Sequence, residues 1–428
     1  MWDVMMELSE RRKSALGPAY QLFYDTPAHF VLGEEVWLWD ADGRKYLDCY
    51  NNVASVGHCH PDVVSALAGQ AATLNTHTRY LHENVIELSE KIAGKMPGDL
   101  SVCMFVCTGT EANDLATRIA RTTSGHEGML VSEYSYHGNS TLVHTLSTAD
   151  SDERPDWLAL FEAPCRYRPT FNGDDLLGGY VGSVRDAIGH LQRRDQQPAA
   201  IMIDSIFDSP GTIEAPPGYF PQVYKAVREA GGLVIADEVQ AGYCRTGHHW
   251  WGFQHDHAVP DIVTLGKPMG AGHPLAAVVT TPDIAARFAA SSDYFNTFGG
   301  NPVSAAVGKA VINVIDAEGL LENVTKVGAY TRAGLQSLKD QYDIIGDVRG
   351  RGLFLSVELV KDRASKTPAA HTARKMINLM KDEGVLIATH GRYENTLKIR
   401  PPMVFTRDNA DQLITTLEVC FNKLSTGK

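Results

Sequence analysis

Residues 232–272 read GLVIADEVQAGYCRTGHHWWGFQHDHAVPDIVTLGKPMGAG. Two short apolar runs stand in this stretch, each ending at one ionisable group. Leu233 to Ala236 runs into Asp237, and Ile262 to Leu265 runs into Gly266-Lys267. Continuous Val/Ile/Leu runs of this length suit strands buried on both faces of a parallel sheet. Ligands of such sheets bind beyond the carboxyl ends of the strands. Asp237 and Lys267 are therefore expected at one crevice. A buried carboxylate and a lysine next to glycine suit a Schiff-base site, in which the lysine holds an aldehyde cofactor and the aspartate pairs with a pyridinium nitrogen. Taken alone, the stretch also admits an ordinary strand-end acid and a surface lysine. The rest of the chain decides between them.

At 428 residues, 44% hydrophobic and 21% charged, the chain can bury a sizeable core in two or more domains. Its net charge of −12 argues against nucleic acid or an anionic membrane as a partner. The seven cysteines are scattered without C-x-x-C spacing and read as reduced thiols of a cytoplasmic protein. The N-terminal MWDVMMELSERRKSALG carries charges where a signal peptide needs an apolar core, and reads as a short amphipathic helix. No apolar run approaches the roughly 18 to 20 residues of a membrane span.

Outward from the central stretch, strands and helices alternate. Val36 to Cys49 reads as a hairpin around Ala41-Asp42-Gly43. His58, Cys59 and His60 follow it. Neighbours in sequence cannot easily converge on one ion, and no second Cys/His cluster is present, so no metal is expected. Pro61 opens a helix, and another starts near Glu83, just after Arg79. Residues 101–125, SVCMFVCTGTEANDLATRIARTTSG, give a strand, a glycine turn and a helix. Free N–H groups, the Thr108 and Thr110 hydroxyls and the helix dipole suit a phosphate there, while Thr110 could equally cap the helix. A strand near residue 129 leads to Tyr134-Ser135-Tyr136-His137-Gly138, where an aromatic beside glycine can stack on a flat ring. Residues 150–180 read as an irregular excursion and 183–194 as a helix. Ala199 to Ile203 is a buried strand ending at Asp204, and 219–230 is a helix. An open, mostly parallel sheet with right-handed crossovers follows from this order. After Lys267 come a strand at 276–280, a helix at 282–290 and the glycine pair of TFGGNP, residues 297–302. Strands at 352–359, 385–388 and 396–399 then alternate with helices in a different rhythm, and Arg400 ends the last of them.

Taken together, GTEAN, YHG, IADEVQ, GKPMGAGHP, TFGGNP and LKIRPP, in this order and spacing, resemble the class III family of pyridoxal-5′-phosphate aminotransferases. The likeness covers about residues 20 to 420. It implies an α/β protein of PLP fold type I: a large domain with a mostly parallel seven-stranded sheet flanked by helices, and a small α+β domain built from both termini. The corresponding division is 1–55, 56–317 and 318–428. By the family's pattern Lys267 carries the cofactor and moves protons, and Asp237 keeps the pyridine nitrogen protonated. Gln240 lies near the phenolic oxygen, Gly109 and Thr110 bind the phosphate, Tyr136 stacks on the ring, and His137 belongs to the same cofactor-binding group. Thr297 reaches the cofactor of a neighbouring subunit, which implies a homodimer with shared sites, or a tetramer built on it. Arg400 matches an arginine that often binds a substrate carboxylate.

Within the family, DCYNNVASVGHCHP, LNTHTRYLHEN, VPDIVTLGKPMGAGHP, YFNTFGGNPVS and LVKDRASKTPA look closer to the ethanolamine-phosphate phospho-lyase branch. Elimination of phosphate from O-phosphoethanolamine, giving acetaldehyde, ammonia and phosphate, is the activity this implies. Arg79 and Arg400, with Asn51 and Asn52 behind them, are the candidates to hold the substrate. Loss of either arginine is expected to cost roughly 2 kcal/mol. The family often has a glutamate at Asp204, which pairs with the substrate arginine and switches it. The shorter side chain here, followed by SIFDSPG, speaks against such a switch. Two other classes compete: an omega- or alanine–glyoxylate-like aminotransferase using Arg400 for a carboxylate, and a non-catalytic protein whose GTGTE turn holds phosphate. The last leaves Lys267, Asp237 and Tyr136 unexplained.

Overall fold

The computed structural model describes residues 2–171 and 175–426. Seven strands form one sheet in the order Val102–Val106, Ala276–Thr280, Ile262–Leu265, Leu233–Asp237, Pro198–Asp204, Gly128–Ser132 and Leu158–Phe161. Ala276–Thr280 runs antiparallel to both neighbours, and the other pairings are parallel. Side chains alternate between the two faces, as the period of two in a strand requires. Ile201, Ile203 and Val234 pack with Tyr180, Val184 and Tyr224 of the helices Leu176–Gln192 and Tyr219–Glu229. Ala200, Met202 and Ile235 face the other way, onto Leu115, Ala116 and Ile119 of the helix Gly109–Ser124. Burial on both sides explains why these strands read as unbroken apolar runs.

Register sets the site. Asp204 pairs with Asp237, and Asp237 with Thr264, so three neighbouring strands end almost level. The turns that follow them share one edge of the sheet.

The two ends of the chain build around that edge. Trp37–Asp40 and Lys45–Asp48 form the expected hairpin, with Phe30–Glu34 added outside it. Val385–Leu386 joins Lys45–Asp48 in parallel, so residues from both termini share one sheet. Ile345–Arg351, Phe354–Leu359, Thr396–Ile399 and Ala388–His390 form a second, antiparallel sheet. The Arg400 N–H donates to the Cys49 carbonyl at 2.7 Å, and the Met403 N–H to the Ser55 carbonyl at 2.8 Å. These bonds dock the last strand against the segment preceding the large sheet.

Residues 150–180 correct the sequence reading. Leu158–Phe161 is an edge strand within the supposed excursion, and the next helix begins at Leu176 rather than 183. Four apolar residues between prolines and acids leave too little periodicity to detect. Residues 172–174 of this stretch lie outside the described residues. No described helix is long and apolar enough to cross a membrane.

Candidate active site

Asp237 closes its strand at the floor of a cavity of about 360 Å³. Its side chain is fixed from three directions. The Val239 N–H donates to Oδ1 at 3.0 Å, Asn113 Nδ2 to Oδ2 at 2.9 Å, and His137 Nδ1 lies 2.8 Å from Oδ2. Asn113 Nδ2 also donates to the His137 carbonyl at 2.7 Å, tying the GTEAN helix to the YHG turn. Asn113 is a site residue that the sequence reading did not single out. His137 Nε2 and Asn113 Oδ1 are buried without protein partners.

At one end of the cavity stand Thr108, Gly109 and Thr110. Thr108, not Thr110, caps the helix Gly109–Ser124: its hydroxyl accepts from the Glu111 N–H at 3.2 Å. Glu111 Oε2 accepts from the Cys107 N–H at 2.6 Å in return. The remaining N–H groups of the first turn have no partner in the helix by construction. A Cβ on Gly109 would stand 2.8 Å from Val239 Cγ1, so only glycine lets this turn pass the strand-end loop. At Gly138, φ is +140° and a Cβ would meet Thr110 Oγ1 at 2.6 Å, so glycine again brings the two turns together. Tyr136 lines the same cavity with its ring 42% exposed, presenting an aromatic face to a bound molecule.

Lys267 opens the short helical turn Lys267–Gly270 on the opposite side of the cavity. Burial, reinforced by the Arg400 guanidinium, pushes its ammonium below the usual lysine range, while Asp237, Asp208 and Asp204 pull the other way. A lysine so placed spends more of its time as a neutral amine, the form that adds to a carbonyl and accepts protons.

Two residues of the far wall, Gln240 and Asp208, are bonded to cations that are not among the residues lining the cavity. Gln240 Oε1 accepts from Arg400 Nη1 at 2.6 Å and from Asn52 Nδ2 at 2.7 Å. Gln240 Nε2 donates to Asp208 Oδ2 at 3.0 Å, and Lys398 Nζ donates to the same oxygen at 2.7 Å. Arg400 is buried, its Nε donates to the Tyr50 carbonyl at 3.2 Å, and its guanidinium lies 4.9 Å from the Tyr50 ring centroid. Asp204 does not pair with this arginine. Its two oxygens accept the N–H groups of Ile206 and Asp208, at 3.0 and 2.7 Å, and so build the turn that follows it. Burial, with Asp208 and Asp237 adding to it, pushes the Asp204 carboxyl up to about 7.

Not every expected site residue is gathered here. The Asn51 N–H donates to Asp48 Oδ1 at 2.9 Å, anchoring the loop before Asn52, and Asn51 does not line the cavity. Arg79 and Thr297 are exposed and lie outside it. The Arg79 guanidinium stands 3.9 Å from the Phe295 ring centroid, and His77 stacks on Tyr80 at 5.0 Å. Around them Leu81 is 98% and Phe298 70% exposed. His58 and His60 are each bonded to an acid, Asp48 at 2.7 Å and Glu318 at 2.9 Å.

Comparison with known proteins agrees with this arrangement. Residues 24–421 match the family described as Aminotransferase class-III. The chain is 41% identical over 427 residues to the Drosophila melanogaster protein named alanine–glyoxylate aminotransferase 2-like, covering 97% of this chain and 86% of that one. It is 36% identical over 432 residues to ethanolamine-phosphate phospho-lyase homolog 1 of Caenorhabditis elegans, covering 96% and 92%. Among solved structures it resembles a phospholyase from Arthrobacter in complex with phosphoethanolamine, with a TM-score of 0.93 and 41% identity, covering 97% and 99% of the two chains.

Proposed function

The chain belongs to the class III aminotransferase family, and from that premise we propose that it is a phospho-lyase. Its substrate would be O-phosphoethanolamine or a closely related phosphorylated amine, and its products acetaldehyde, ammonia and phosphate. The observation that carries this reading is the likeness, along nearly the whole chain, to the Arthrobacter phospholyase bound to phosphoethanolamine. An aminotransferase is the second reading, supported by the equal identity to the Drosophila relative.

The cofactor of the family is pyridoxal 5′-phosphate, and the cleft fits it. Bare N–H groups at a helix start face one end of the cavity, and an oriented carboxylate faces another. His137 Nε2 and Asn113 Oδ1 are buried beside that carboxylate without partners. Gly109 and Thr110 would hold the cofactor phosphate. Asp237 would hold the proton on the ring nitrogen, with His137 and Asn113 orienting it. Tyr136 would cover the ring face, and Gln240 and Asn52 would lie near its phenolic oxygen. When bound, the cofactor supplies an electron sink for charge at the amine-bearing carbon.

Lys267 Nζ would take the proton from that carbon. Phosphate departs from the adjacent carbon with the C–O electron pair, and the two-carbon unit left behind takes up water to leave as acetaldehyde and ammonia. Charge on the leaving phosphate needs preorganised cations. Arg79 of a second copy would supply one, since the patch formed by residues 77–81 and 295–298 is apolar, cationic and exposed in a single chain. Arg400 would add its charge from behind Gln240. The homodimer is part of this proposal. So is a cytoplasmic setting, which the unpaired cysteines suit.

Phosphate release from O-phosphoethanolamine, with cofactor and without any keto acid, tests the reading. Steady turnover with matching acetaldehyde is expected. No phosphate, together with conversion of the cofactor to its amine form by amino donors, would establish the aminotransferase instead.

A further inference from the structure

Asp208 is a buried carboxylate on the cavity wall that the reaction above does not use. The chain goes to some length to place it. Phe207 has φ +46° and Thr212 φ +57°, left-handed conformations that non-glycine residues adopt only at a cost. The Asp204 carboxylate holds this turn by accepting the Asp208 N–H, and the Asp208 carbonyl accepts those of Gly211 and Thr212 at 2.8 and 3.0 Å.

The Asp208 side chain decides how its neighbours face the cleft. Its Oδ2 takes Lys398 Nζ and Gln240 Nε2. Oδ1 receives no hydrogen bond, although His390 Nδ1 stands 3.3 Å away. Burial alone would raise the Asp208 pKa, yet Lys398, His390 and Arg400 outweigh it and hold the carboxyl well below the usual range, so it stays charged. An amide has one donor end and one acceptor end. With Nε2 committed to Asp208, Gln240 can offer only its carbonyl to Arg400 and Asn52.

We propose that Asp208 is a specificity-determining residue that excludes substrates bearing a carboxylate on the amine-bearing carbon. It neutralises Lys398 and turns the Gln240 carbonyl onto Arg400, so both cations of this wall are already partnered. Its own charge then meets an incoming carboxylate first. A phosphate carried further along the substrate escapes this wall and reaches the cations beyond it. The inference rests on the reading above only in taking this cavity as the substrate site.

The test is the affinity of the cofactor-loaded enzyme for propionate, read by calorimetry, in wild type, D208N and the double variant D208N/K398M. Removing the carboxylate in either variant releases Gln240 and uncaps Arg400. Propionate affinity is expected to rise at least about tenfold in D208N, the scale of one charge-assisted contact, and in part in the double variant. D208N leaves a lysine buried without its partner, so it may lose its fold; the double variant removes the pair whole and then carries the test. Unchanged affinity in every variant that folds would overturn the proposal. Phosphate release plays no part in this readout, so failure of the lyase reading and failure of the Asp208 reading are separate results.

Discussion

His137 Nδ1 stands 2.8 Å from Asp237 Oδ2, and both side chains are buried. Asn113 reaches the same oxygen, so the carboxylate cannot rotate without losing two partners at once. Replacing His137 with Phe keeps the bulk and removes one of them. Leaving a buried acceptor short of a donor costs about 1–3 kcal/mol. Pyridoxal 5′-phosphate affinity in H137F, measured by spectral titration, is therefore expected to fall roughly tenfold or more. Wild-type affinity would show that His137 does not orient Asp237 for the cofactor.

The contact between Gly109 and Val239 gives a second prediction. A Cβ at 109 would press on Val239 Cγ1 at 2.8 Å and push the phosphate turn off the strand-end loop. G109A should weaken cofactor binding about tenfold, a cost typical of overpacking. V239A should restore part of the loss in the double variant, because it removes the methyl groups that clash. Loss without rescue would mean that position 109 matters for its backbone angles and not for its closeness to Val239.

Asp237 and Lys267 were readable because each ends a buried apolar run, and a level sheet edge then brings them together. The wall opposite them was not. Asp208 and Lys398 are 190 residues apart, and only the docking of the Thr396–Ile399 strand against the large sheet makes them neighbours. No local pattern carries that information. Thr108 and Thr110 were indistinguishable as caps, since either hydroxyl precedes the same apolar face; the Glu111 side chain, by closing on the Cys107 N–H, selects Thr108.

Stability should fall in acid for a reason separate from the site. Burial first, then Arg351, lowers the His255 pKa from 6.5 to about 3. The folded state therefore binds fewer protons than the unfolded chain between those values, and stability is lost as pH falls below 6.5. H255Q removes the group that must charge on unfolding. The drop in Tm between neutral pH and about pH 4.5 should be smaller in H255Q than in wild type by a few degrees. Equal drops would place the acid sensitivity elsewhere.

Arg79 and Lys267 can be tested as parts of one site drawn from two chains. Arg79 lies on Phe295, beside the exposed Thr297 and away from its own cavity. R79A is expected to raise the KM for O-phosphoethanolamine by about 2 kcal/mol in equivalent free energy without lowering Tm, because an exposed arginine supports little of the fold. K267A alone should be inactive. Unfolded together and refolded as a mixture, the two variants form hybrid dimers. One site of each hybrid then has an intact Lys267 from one chain and an intact Arg79 from the other; its second site has neither. In a random mixture half the dimers are hybrids, so about a quarter of all sites should regain wild-type KM. If the mixture shows only the high KM of R79A, Arg79 acts within its own chain or not at all, and the shared-site arrangement fails for this residue.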